Sequence, residues 1–131
     1  MTRALVIIDI QQDYFAGGAH PLVGPDAAAD AAAGLLAHFR AQGEPVIHVQ
    51  QLWDAPDATF MRPGTSGCEI HHLVAPLPGE SVVQKAAPNL EFEGTALPGE
   101  IVHASFMAAL ADGYAQVVSS REVIERSGAI R

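Results

Sequence analysis

Apolar residues along the chain gather in short runs separated by amphipathic stretches, and the alternation is that of strand and helix. Residues 4–10 (ALVIIDI) form a nearly continuous apolar run rich in β-branched side chains, as a strand covered on both faces requires. A loop rich in Gly and Pro follows over residues 17–25. Asp26 is placed to cap a helix whose stripe comprises Ala28, Ala32, Leu35, Leu36 and Phe39. Gly43 suits the residue just past that helix, and Glu44-Pro45 restarts an extended chain. Residues 46–51 then read as a second buried strand, which completes a βαβ unit with a right-handed crossover.

The remainder is less regular. Residues 52–79 carry repeated Pro and Gly and read as a long loop with one helical turn near 69–73. A short strand is expected over 81–85 and an amphipathic helix presenting Val102, Phe106, Ala109 and Leu110, closed by Gly113. A last strand over 115–119 and a short helix over 122–126 complete the pattern. The expected architecture is a three-layer α/β/α domain with a parallel sheet, spanning residues 1–131 as one unit.

Composition narrows the class. Apolar residues make up 49% of 131, ample for a packed core, while charged residues are only 17%. The net charge of -8 and the lack of a basic cluster argue against nucleic acid and against anionic membrane surfaces. A single cysteine excludes an internal disulfide and favours a reducing, cytoplasmic setting. No leader pattern opens the chain, and no apolar run approaches the ~20 residues that span a bilayer, so a soluble protein is expected.

Two apolar runs end in a charge. The first delivers Asp9 and the third Lys85, the sole lysine. Open α/β sheets place their ligands at the carboxyl ends of their strands, and an acid beside an ammonium there can move protons. Asp9 could instead cap a helix and Lys85 could be a solvated strand-end charge; two charged run ends in one parallel sheet favour a catalytic pair.

The segment ALVIIDIQQDYF, the PVIHVQ strand, PGTSGCEI followed by VVQK, and the ending IVHASFMAALADGYAQVVSSREVI resemble the isochorismatase-like cysteine hydrolases over nearly the whole chain. That resemblance implies a doubly wound, Rossmann-like parallel sheet and hydrolysis of amides, ureides or a vinyl ether. It implies catalytic roles for Asp9 and Lys85, the former taking the proton of a cysteine thiol and the latter orienting Asp9. The family's cysteine, on a helix after a fourth strand, has no counterpart. The chain passes from Lys85 through Ala-Ala-Pro-Asn to LEFEG, which implies an internal deletion near residues 89–90. At about thirty residues per βαβ unit, on the order of fifty to sixty residues would be missing.

Other candidates are weighed on the same terms. Phe15, Trp53 and Phe60 could wall a substrate pocket or merely pack the loops; Asp13 could cap a turn, and Gln11 and Gln12 are ambiguous. Cys68 reads as an inert small apolar residue, His48 as a core histidine, and His103 as a packing or capping residue. Adjacent His71 and His72 point different ways and make a poor chelating pair. The stretch after the second strand, QQLWDAPDATF, lacks the histidines of the metal-binding relatives, so neither metal nor cofactor is expected. Two functions stay open. One is a hydrolase of a small-molecule amide or related C–N bond; the other is a catalytically inactive, shortened member serving as an assembly or binding module. Either would expect a homo-oligomer, because loss of two strands opens a sheet edge.

Overall fold

The computed structural model describes residues 3–86, 111–112 and 115–128. The chain divides into two compact units, residues 1–88 and 89–131, each described here by itself. The expected helix around Val102–Leu110, His103 and the inferred junction near 89–90 lie outside the described residues.

The first unit is an α/β fold built on a parallel three-stranded sheet in the order β1 (Leu5–Ile8), β2 (Val46–Gln51), β3 (Ser81–Lys85). Register pairs Ile7 with His48 and His48 with Val82 on one face, and Ile8 with Val49 and Val49 with Val83 on the other. Helix α1 (Pro25–Ala41) packs on β1 and β2. Its buried stripe is Ala29, Leu36 and Phe39, and Ile7, Val46 and His48 are buried in the sheet. Ala28, expected on the stripe, is exposed. Leu36 and Phe39 lie on the stripe as expected, and its first position moves from Ala28 to Ala29.

The helix ends follow local chemistry. Asp26 does not cap α1. Gly24, at φ +69°, is the cap, and Pro25 takes the first helical position, where its missing N–H costs nothing. Asp26 lies in the first turn and complements the helix dipole. At the far end Gly43 adopts φ +66° and donates to the Arg40 carbonyl, while Glu44 donates to that of Phe39. This is the Schellman arrangement expected of a glycine there.

Polar contacts lock α1 to the sheet. Arg40 makes a two-pronged bond to Glu80, at 2.7 and 2.8 Å, and also donates to the Ala75 carbonyl. Glu80 Oε2 accepts from Leu77 N and lies 2.9 Å from Nε2 of buried His48. The Arg40 hydrogen bonds, together with those from Leu77 and His48, pull the Glu80 pKa down to about 2 against desolvation. Arg3 pairs with Glu44 and lies over the Phe39 ring.

The sheet's second face is different. Val6, Ile8 and Val83 share it and are 48%, 54% and 51% exposed. Among the described strands β1 has a neighbour on one side only.

In the second unit residues 115–119 are irregular, not the strand expected, and α2 (Ser120–Gly128) follows. Two valines make too short a run, and Ser119 is committed elsewhere. Its hydroxyl accepts from Glu122 N, and the Glu122 carboxylate accepts from Ser119 N at 3.0 Å. That reciprocal cap starts a helix at the point where the strand would end. No helix among the described residues is long and apolar enough to cross a membrane.

Candidate functional site

The carboxyl ends of the three strands converge on one ion pair. Lys85 Nζ lies 2.7 Å from Asp9 Oδ2, with both side chains largely sheltered. Asp9 holds φ +58°, a left-handed conformation that an L-residue with a side chain adopts at a cost of about 1–2 kcal/mol. Its N–H donates to the Val49 carbonyl at 3.0 Å, so β1 stays paired to β2 while the carboxylate turns out of the ladder. Strain of this kind, held in place by surrounding bonds, is a mark of functional positions.

Immediately after the strand, Gln11 is fully buried and uses both ends of its amide. Nε2 donates to the carbonyls of Gln51 and Cys68, at 2.8 and 2.7 Å, and Oε1 accepts from Gln51 N at 2.7 Å. It ties β2 to the turn Ser66–Cys68. Asp13 is also buried and serves as a hub. Its carboxylate accepts from Ala19 N at 3.0 Å and Met61 N at 2.6 Å. Gly67 lies so close that a Cβ there would overlap that carboxylate. Asp13 therefore shapes the loops around it.

An aromatic group stands over these loops. Phe60 meets Trp53 edge-on at 5.4 Å, stacks on His20 at 5.1 Å and lies 6.1 Å from Tyr14. Trp53 is anchored through its backbone N–H to the Met61 carbonyl, and Leu52 N donates to Lys85 O. Burial raises the Tyr14 phenol pKa, and the charges of Asp9 and Asp13 raise it further, so the phenol stays neutral beside the pair. Phe15 is not in this group. It is buried and stacks on His71 at 3.9 Å.

The remaining candidates fall elsewhere. Cys68 is buried, with Sγ donating to the Thr65 carbonyl at 3.2 Å. His71 is buried against Phe15 and His72 is exposed. Among the described residues no group of three His, Cys, Asp or Glu side chains converges as a metal site. Two open clefts of about 310 and 350 Å³ lie between the loops around Asp13, Gly17, Ser66 and Gly67, and neither is lined by Asp9 or Lys85. Sequence reasoning missed Gln51 at the end of β2 and the Arg40–Glu80–His48 network. A polar residue closing an apolar strand, and an acid just before one, were the available signals.

Comparison with known proteins places the chain. YddQ of Bacillus subtilis (strain 168), an isochorismatase family protein, is 48% identical over 101 residues, which cover 77% of this chain. The chain spans just over half, 56%, of the length of YddQ. A crystal structure from Oleispira antarctica, provisionally called an isochorismatase hydrolase, matches with a TM-score of 0.84 and 34% identity, covering 95% of this chain and 96% of that one. The N-carbamoylsarcosine amidase of Thermoplasma acidophilum matches at a TM-score of 0.59 and 26% identity, over 81% of this chain and 63% of that one. The Isochorismatase domain model matches residues 3–104, and the chain belongs to the isochorismatase family.

Proposed function

We propose that this chain hydrolyses a small-molecule amide or related C–N bond, with Asp9 and Lys85 as its catalytic pair. The observation that carries the reading is the 2.7 Å ion pair built on a strained residue at the carboxyl edge of a parallel sheet. Lys85 holds the Asp9 carboxylate in position through that contact. Asp9 then takes a proton from the attacking nucleophile and returns it to the leaving nitrogen. Cys68, the sole cysteine, is engaged with Thr65 and does not provide the thiol. Water is the nucleophile in this chain: its proton passes to Asp9 as its oxygen bonds the carbonyl carbon, and the same proton leaves with the nitrogen as the C–N bond breaks. Trp53 and Phe60, with Tyr14, wall the substrate, while Phe15 is buried against His71 apart from that wall. The likeness to N-carbamoylsarcosine amidase supports a C–N bond as the target. The segment inferred to be missing near 89–90 falls beside the boundary between the two units, and its loss fits the absence of a matching cysteine. The single cysteine fits a reducing, cytoplasmic compartment.

The test is ammonia release from a panel of primary carboxamides and N-carbamoyl amino acids. Asp9→Asn and Lys85→Met should each lower the rate by about 10²-fold or more, the usual contribution of a proton-transfer group. Wild-type release no greater than that of Asp9→Asn on every substrate would overturn the proposal.

A second reading, an assembly module, is favoured by a separate observation: the exposed apolar row of Val6, Ile8 and Val83 beside the open edge of β1. Soluble domains rarely leave such surface uncovered, and a second copy would bury it. This homo-oligomer is compatible with the hydrolase reading.

A further inference from the structure

We infer that Gln51 is the specificity-determining residue of this site and selects a neutral carboxamide or ureide over the corresponding carboxylate, an inference that rests on the hydrolase reading. Gln51 closes β2, the central strand, and is only 3% exposed. Its backbone is fully engaged, since N–H and carbonyl both bond the Gln11 side chain. Its own side-chain amide is not: Nε2 and Oε1 are both enclosed, and neither has a hydrogen-bond partner among the described residues. Interiors avoid such groups, and Gln11, equally buried and one strand away, makes three bonds.

Position says what the amide is for. The register pairs Gln51 with Lys85, so their side chains leave the same face of the sheet. The Lys85 ammonium crosses the end of β2 to reach Asp9, since β2 lies between β1 and β3. The unbonded amide therefore sits at the ion pair's own end of the sheet. A primary amide presents an acceptor and donors side by side. Its complement is a group with a carbonyl and an N–H on one edge, which a carboxamide or ureide has. A carboxylate offers acceptors only, leaving Oε1 against oxygen and bringing a second negative charge to Asp9. Sites with buried polar groups discriminate well against ligands that leave those groups unpaired.

The experiment compares wild type with Gln51→Met, which keeps the length and removes the hydrogen bonds. Binding of propionamide and propionate is followed by ligand-observed NMR, alongside thermal melting. Wild type should favour propionamide; Gln51→Met should lose that preference by tenfold or more and melt no lower, because an unsatisfied buried group has gone. No preference in wild type, or a preference unchanged in Gln51→Met, overturns the inference. Should Gln51→Met fail to fold, Gln51→Asn carries the test: one methylene short, it should weaken propionamide and leave propionate unchanged, and equal binding of propionamide to wild type overturns the inference. Ammonia release is scored separately, so loss of turnover with the binding preference intact would sink the hydrolase reading and leave the role of Gln51 standing.

Discussion

Lys85 reaches Asp9 across the end of a strand that belongs to neither. β1 and β3 flank β2, so their backbones are about 9–10 Å apart, and the 2.7 Å contact is made by the length of the lysine side chain. Arginine or a shorter cation would not reproduce a point charge delivered over β2. Asp9 contributes from the other side by a backbone turn to φ +58°.

That turn gives a stability test independent of activity. Asp9→Gly and Asp9→Ala both delete the ion pair, but only glycine relieves the left-handed strain. The glycine variant should be the more stable of the two by about 1 kcal/mol, read from urea unfolding midpoints. Equal stabilities would show that the Asp9 backbone holds no strain.

The Arg40–Glu80–His48 network should set the acid limb of stability. Glu80 titrates near 2 in the fold and near 4.5 when unfolded, so the unfolded chain binds more protons between these values. Its contribution is complete above about pH 4.5 and is lost as pH falls toward 2. Glu80→Gln should cost on the order of 2 kcal/mol at neutral pH, hydrogen bonds to a charged group being worth about 1.5–3 kcal/mol. The variant should also flatten the decline in melting temperature below pH 4.5. An unaltered acid limb would contradict the assignment.

His71 acts in a higher window. Burial is the main cause that lowers its pKa, and neighbouring His72 adds to the shift. The fold thus favours the neutral ring stacked on Phe15. Below the unfolded value of about 6.5 the unfolded chain binds the extra proton, so stability falls as the solution is acidified toward the folded pKa. His71→Phe keeps an aromatic stack and removes the titration. Its melting temperature should lose the slope that wild type shows as the pH falls below about 6.5; a retained slope would assign it to another group.

The three strands of the sheet and the Asp9–Lys85 ion pair were legible in the sequence because each rests on a local rule. A β-branched run has one way to be buried, and a charge at its end marks the functional edge. Gly43 was equally readable, since its helix end requires a left-handed residue. Gln51 was not legible: nothing in HVQQLW says which glutamine is bonded, because the Gln11 amide that satisfies the Gln51 backbone comes from forty residues away. The same holds for Glu80, whose partners lie on α1 and β2. The expected strand over 115–119 failed for a local reason, because Ser119-x-x-Glu122 is a stronger helix start than two valines are a strand. Phe15 shows the limit of position as a guide. It follows β1 and Asp9 closely, yet the turn at Gln12–Tyr14 directs it into the core against His71.

The open face supplies the last test. Val6, Ile8 and Val83 project from the side of the sheet opposite α1, and each leaves about half its surface in solvent. Burying apolar area stabilises by about 25 cal/mol per Å², so a second copy on this face would gain by covering it, and among the described strands β1 is paired on one side only. A second copy packed here should give light-scattering masses near twice that of one chain at micromolar concentration. Val83→Lys places a charge within such a contact and should return the protein to monomers without unfolding it. Because Val83 is already exposed in one copy, its replacement costs the isolated fold little. Monomeric wild type would remove the homo-oligomer, whereas a dimer indifferent to Val83→Lys would move the interface to another surface.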